Sequence, residues 1–142
     1  MNTLRFYSLL FILVLGTSCL LSQSTSYEQV YTKIKDSFAQ NNFIALENLL
    51  PGNRKIFFFI TPIIPKNGYF TSQQLHFILQ DMQKEIKTLS FAYEDKEQIS
   101  GDKISKKAIW KLSKNGENFT VNIFIYLENI DNEWKIVQIK IS

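Results

Sequence analysis

Apolar residues recur at three- and four-residue spacing from Tyr27 through Val30, Tyr31, Ile34 and Phe38, which is the period of one helix face. Ser26 stands where an N-cap is needed and Glu28 falls in the first turn, so the spacing predicts a helix from Tyr27 to near Asn41. Asn41-Asn42 breaks it, and Phe43 to Leu50 reads as a second, short helix stopped by Pro51-Gly52. Lys55 to Thr61 (KIFFFIT) is apolar without alternation and bounded by Pro51-Gly52 and Pro62, which predicts a strand covered on both faces. After the loop PIIPKNG, Tyr69-Phe70 adds a short strand pair. Thr71 then caps the clearest helix of the chain, in which Leu75, Ile78, Leu79, Met82 and Ile86 form one apolar stripe.

Beyond that stripe the period changes to two. Leu89, Phe91 and Tyr93 alternate with Thr88, Ser90 and Ala92, and Ser100-Gly101-Asp102 makes a turn. Ile104 to Leu112 is a strand, Asn115-Gly116 a strong hairpin signal, and Phe119 to Glu128 the partner strand. Asp131-Asn132 turns the chain into Trp134 to Ile141, completing a four-stranded antiparallel meander.

The first residues obey a different rule. Arg5 precedes an apolar run from Phe6 to Leu15, followed by the small residues Gly16, Thr17 and Ser18, which is the three-part layout of a secretory signal. Phe6 to Leu21 is 16 residues, short of the about 20 needed to cross a bilayer. Cys19, the only cysteine, closes this leader, and the site resembles the lipobox of bacterial lipoproteins, with Gly16 where that pattern has Leu. Cleavage after Ser18 without lipidation is the alternative, because Gly16 and Ser18 satisfy the small-x-small rule. The expected organisation is a signal peptide over 1–18, a lipid-attachment cysteine and tether over 19–26, and one domain over 27–142.

Composition narrows the chemistry. At 45% hydrophobic and 14% aromatic against 20% charged residues, the body can build a packed core. Lys plus Arg total 16 against 13 Asp plus Glu; loss of Arg5 leaves 15 against 13, spread without runs, which does not mark a nucleic-acid binder. Without a second cysteine there is no internal disulfide, and one His with no mature thiolate excludes multi-histidine and thiolate metal sites. No glycine-rich phosphate loop occurs, and no cofactor is implied.

The order helix, helix, strand, short strand, helix and four long strands resembles the nuclear transport factor two-like superfamily. A narrower likeness rests on Gly68-Tyr69-Phe70-Thr71 leading into Gln74 and Ile78-Leu79, on Ser90-Phe91, and on Trp134-Lys135-Ile136 through Ile139-Lys140-Ile141. These are similar to exported bacterial proteins grouped as domain of unknown function 4783, a family with no established activity. The resemblance implies an α+β fold: three helices from the N-terminal half packed on a curved antiparallel sheet, a cone or cystatin-like roll. It also implies a place for a small apolar ligand between the concave face and the helices, and pairing of two copies or of a protein partner through the sheet.

Phe119 to Glu128 puts Phe119, Val121, Ile123, Ile125 and Leu127 on one face and Thr120, Asn122, Phe124, Tyr126 and Glu128 on the other. Trp110, Asn122, Phe124 and Tyr126 are the candidates for lining a pocket, with Phe57 or Phe59 at its base; alternatively these side chains simply fill the cone. A Tyr126 and Glu128 pair and His76 are the only groups that suit proton transfer, and His76 sits at the edge of its helix's apolar stripe. Lys103, Lys106, Lys107, Lys111 and Lys114 cluster on one strand and suit either an anionic surface or solvation of the strand. The sequon Asn118-Phe119-Thr120 is expected to be a coincidence if the chain is the bacterial lipoprotein its leader resembles. The expected role is a lipid-anchored, non-catalytic binding or assembly module of the cell envelope. A small isomerase- or dehydratase-like enzyme using the cone, or a structural envelope protein without a ligand, are the alternatives.

Overall fold

The computed structural model describes residues 24–142; the leader and Cys19 lie outside the described residues. The first helix, α1, runs Tyr27–Ala39 and starts where the sequence places it: Ser26 and Gln29 form a capping box that satisfies two amide groups reciprocally. Its buried face is Val30, Tyr31, Ile34 and Phe38. It ends because Asn41 adopts a left-handed conformation (φ 58°), from which its side-chain amide donates to the Ile86 carbonyl and accepts the Thr88 N–H at 2.8 Å. The helix breaker is therefore also a clamp on the sheet.

Phe43–Leu49 forms a 3-10 helix, with Phe43, Leu46 and Leu49 buried. Strands β1 (Ile56–Phe59) and β2 (Asn67–Phe70) form an antiparallel pair. Helix α2 (Ser72–Glu85) opens on a second capping box, Thr71 with Gln74, and buries Leu75, Ile78, Leu79 and Met82. It passes directly into β3 (Ile86–Ser100), so Ile86, read as the end of the helical stripe, begins the strand instead. The meander continues through β4 (Lys103–Lys114), β5 (Glu117–Ile130) and β6 (Glu133–Ile141).

The six strands make one sheet in the order β2-β1-β6-β5-β4-β3, with β1 parallel to β6 and every other pair antiparallel. The helices lie on its concave face, and the whole is the α+β cone that the element order implied. One continuous core joins the concave face to α1, the 3-10 helix and α2. No helix among the described residues is long and apolar enough to cross a membrane.

Two local expectations fail for identifiable reasons. Leu89 does not share a face with Phe91 and Tyr93: a bulge between Thr88 and Ser90 inserts one residue, and Leu89 is left 51% exposed. Strand β1 is not covered on both sides either. Ile56 and Phe58 are buried, whereas Phe57 and Phe59 point to the opposite, helix-free face and stay half-exposed.

Candidate functional site: two faces of one sheet

Register decides which side chains share a surface. Trp110 pairs with Val121, Ala108 with Ile123 and Ile104 with Leu127, so these residues look toward the helices. Ile109 pairs with Asn122, Lys107 with Phe124 and Ser105 with Tyr126, and they look away. Tyr126 in turn pairs with Gln138, and Gln138 with Phe57, which puts Phe57 on the same outward face. Of the five candidate lining residues, Trp110 is therefore on the concave face, and Asn122, Phe124, Tyr126 and Phe57 are on the convex face. They do not meet in one cavity. The physical reason is that the uniformly apolar face of β5 gains more by packing against the helices than the mixed face does.

The concave interior is filled. Phe38 stacks on Phe91 with ring centroids 4.5 Å apart and meets Trp110 edge-on at 5.0 Å and Phe43 at 5.3 Å. Trp110 is 0% exposed, and its Nε1–H donates to Thr88 Oγ1 at 3.0 Å. Nearer the mouth, the Tyr31 hydroxyl lies 3.0 Å from both the Ile104 and the Ile125 carbonyl, and Tyr93 donates to the Tyr31 carbonyl at 2.8 Å. Burial pushes both phenols well above their ordinary range; the Glu97 carboxylate adds to the effect at Tyr31, and the neighbouring Tyr31 adds to it at Tyr93. The Lys106 ammonium sits over the Tyr31 ring at 4.9 Å and reaches Glu97 at 3.6 Å. Lys106 thus separates from the lysines that precede and follow it on the strand. Lys114 does so too, donating to the Ile63 carbonyl at 2.7 Å and pairing with Glu85.

The convex face is built from half-exposed aromatic rings and cations. Phe57 and Phe59 stack with centroids 6.4 Å apart, and Phe57 meets Tyr69 of β2 at 5.2 Å. Phe124 and Tyr126 continue the aromatic row across β6, beside Lys140 and Gln138. Lys103, Lys107 and Lys111 line this face of β4, Lys135 and Lys140 that of β6, and Lys87 that of β3. Arg54 joins them by donating both guanidinium nitrogens to the Glu128 carboxylate, at 2.7 and 3.3 Å. That hydrogen-bonded guanidinium, with Lys103 beyond it, holds the Glu128 carboxyl below the usual carboxylate range. Tyr126 and Glu128 share the face, and Glu128 is engaged by Arg54.

Elsewhere the surface is shallow. A cleft of about 350 Å³ lies between the start of α1, the end of the 3-10 helix and the Asp131-Asn132 turn, with Lys33, Asn48 and Trp134 among its walls. His76 hydrogen-bonds Glu47 through Nδ1, linking α2 to the 3-10 helix beside the exposed ring of Phe77. This pair is on the outside of the helical layer, not in the cone. No group of three metal-ligating side chains occurs among the described residues. Sequence reading named Phe59 beside Phe57 but missed Tyr69, Lys87, Lys135, Lys140 and Arg54 as members of the same surface. The parallel pairing of β1 with β6, for which the chain carries no local signal, brings Phe59, Tyr69 and Arg54 to the surface that the meander builds from Lys87, Lys135 and Lys140.

Comparison with known proteins bears on the fold. No protein-family model and no curated protein matches the chain. Among solved structures, a DUF4783 family protein from Bacteroides uniformis is 20% identical, with 80% of this chain and 95% of that one covered at a TM-score of 0.60. A hypothetical protein with a ketosteroid isomerase-like fold from Catenulispora acidiphila, in complex with trimethylamine, is 16% identical over 80% and 84% of the two chains at a TM-score of 0.60. An NTF2-like protein from Cytophaga hutchinsonii is 14% identical over 83% and 98% at 0.57. At these identities the likeness establishes the nuclear transport factor two-like fold and carries no function with it.

Proposed function

We propose that this chain is an exported protein, tethered to a membrane of the bacterial envelope by an acyl group on Cys19, whose cone works as a non-catalytic binding or assembly module through its outer surface. The leader supports the address: one cation, an apolar run too short to span, and small residues up to Cys19. The observation that carries the module reading is the division between the two faces of the sheet. Where an enzyme of this shape would hold substrate, Phe38, Phe43, Phe91 and Trp110 pack against one another. Where no helix covers the sheet, aromatic rings and cations stand half-exposed in an ordered row.

Mass measurement of the native protein tests the address. A protein that begins at Cys19 with added acyl mass and sediments with membranes is expected, and Cys19→Ala should release it to the soluble fraction. A chain that starts at Met1 and stays in the cytosol contradicts the proposal.

A further inference from the structure

We propose that the convex face of the sheet is a docking surface for the anionic lipid headgroups of the membrane to which the chain is tethered. The charge of the body is segregated. Seven cations (Arg54, Lys87, Lys103, Lys107, Lys111 and the β6 pair) stand on this face against three carboxylates, Glu94, Glu128 and Glu133, a balance of +4. The described residues hold 15 cations and 13 anions in total, so the helical side and the edges together carry eight against ten, a balance of −2. Each of the three carboxylates on the face is already ion-paired, to Arg54, Lys107 and Lys135. Lys87, Lys111 and Lys140 have no carboxylate within ion-pair distance among the described residues, and they are the cations free to meet an external anion.

A broad positive face selects among partners. A second copy apposed face to face would set +4 against +4, a repulsion that its half-exposed rings would have to overcome. An anionic bilayer matches both the sign and the extent of the face. Tyr69, 68% exposed beside the Phe57 ring, offers the amphipathic aromatic side chain that settles at headgroup depth. Reach supplies the rest. Four residues lie between Cys19 and Ser24, and the five steps of chain span at most about 17 Å, so a lipid on Cys19 would hold the cone within about two Debye lengths of the headgroups. Arg54, Lys103 and Lys135 gather around Glu128 next to the hairpin turns, at the end of the sheet where α1 begins, so the cations start where the tether arrives. The helical side, with its opposite balance, is then turned outward.

The proposal rests on the tethered reading, and its test is made independent of lipidation by using the leaderless chain that starts at residue 19, with Cys19→Ser. Co-sedimentation with vesicles of phosphatidylcholine containing phosphatidylglycerol is compared with vesicles of phosphatidylcholine alone. Binding to the anionic vesicles only, weakened by salt, is expected. Lys87→Gln/Lys111→Gln/Lys140→Gln should lose roughly 5-fold per lysine, about 100-fold for the three, while Lys33→Gln/Lys35→Gln/Lys84→Gln on the helices should change binding little. Equal binding to both vesicle types, an equal loss in the helix variant, or no binding at all overturns the proposal. So does a dimer in solution that the convex-face variant strengthens, which would assign the face to a second copy. An unacylated native Cys19 would sink the tether and leave this result standing.

Discussion

Replacing Trp110 by Ala removes the largest fully buried side chain of the core. Truncating such a residue costs about 3–5 kcal/mol, from lost transfer energy and from the cavity left behind. Here the ring also makes edge-on contacts with Phe38 and Phe43 at 5.0 and 5.9 Å and a hydrogen bond to Thr88. Phe38 is held in place by Phe91, so the site collapses poorly, and the upper part of the range, about 4–5 kcal/mol, applies. Domains of this size are stable by about 5–15 kcal/mol, so the variant retains its fold by a narrow margin. Urea unfolding followed by circular dichroism reads the difference, and Trp110→Phe, with an expected loss of about 1–3 kcal/mol, extends the series if the Ala variant does not fold. The vacated space is apolar and the size of an indole. Added indole should therefore raise the variant's unfolding midpoint and leave the wild type unchanged. A loss below about 1 kcal/mol, or indole stabilising the wild type as much as the variant, would refute a closed interior.

Other consequences follow from single contacts. Tyr31→Phe removes a hydroxyl wedged between two buried carbonyls and should cost about 1–2 kcal/mol; in the wild type, burial keeps the Tyr31 phenol from ionising through ordinary alkaline titration, which ultraviolet absorbance can follow. Thr71→Ala removes the cap of α2 and should cost about 1 kcal/mol in thermal unfolding. Glu128 has a folded pKa depressed by Arg54, so its contribution is complete above the ordinary carboxylate pKa and is lost as pH falls through the depressed value. Because Arg54 is 40% exposed, that contribution is at most about 1 kcal/mol; it should appear as a small acid-side loss of stability that Arg54→Met abolishes, and an unchanged acid limb in Arg54→Met would remove this attribution.

The elements were legible because local chemistry specifies them. Ser26 and Thr71 cap helices whose stripes repeat at helical spacing, and Asn115-Gly116 and Asp131-Asn132 adopt the positive φ that tight hairpins require. The two faces of β5 were also legible, but which of them turns inward was not. That choice depends on competition between faces for the helices, and the mixed face, with Phe124 and Tyr126, looked at least as suited to a pocket. Leu89 illustrates a second limit, since a one-residue bulge reverses the facing of a side chain and leaves no mark in an alternating pattern. Along the chain the lysines of β4 form one cluster. In space Lys106 covers Tyr31 and Tyr93 while Lys103, Lys107 and Lys111 face outward, because the strand period is two.

The chain contains two tryptophans, so an amide-region NMR spectrum carries two indole N–H signals, and their hydrogen exchange reads the interior directly. The Trp110 signal should persist in deuterated buffer about as long as the most protected β4 and β5 amides, while that of half-buried Trp134 disappears early. Rapid exchange of both indoles in a folded sample would mean that solvent reaches the centre of the cone, and the division between a sealed interior and a working outer face would be wrong.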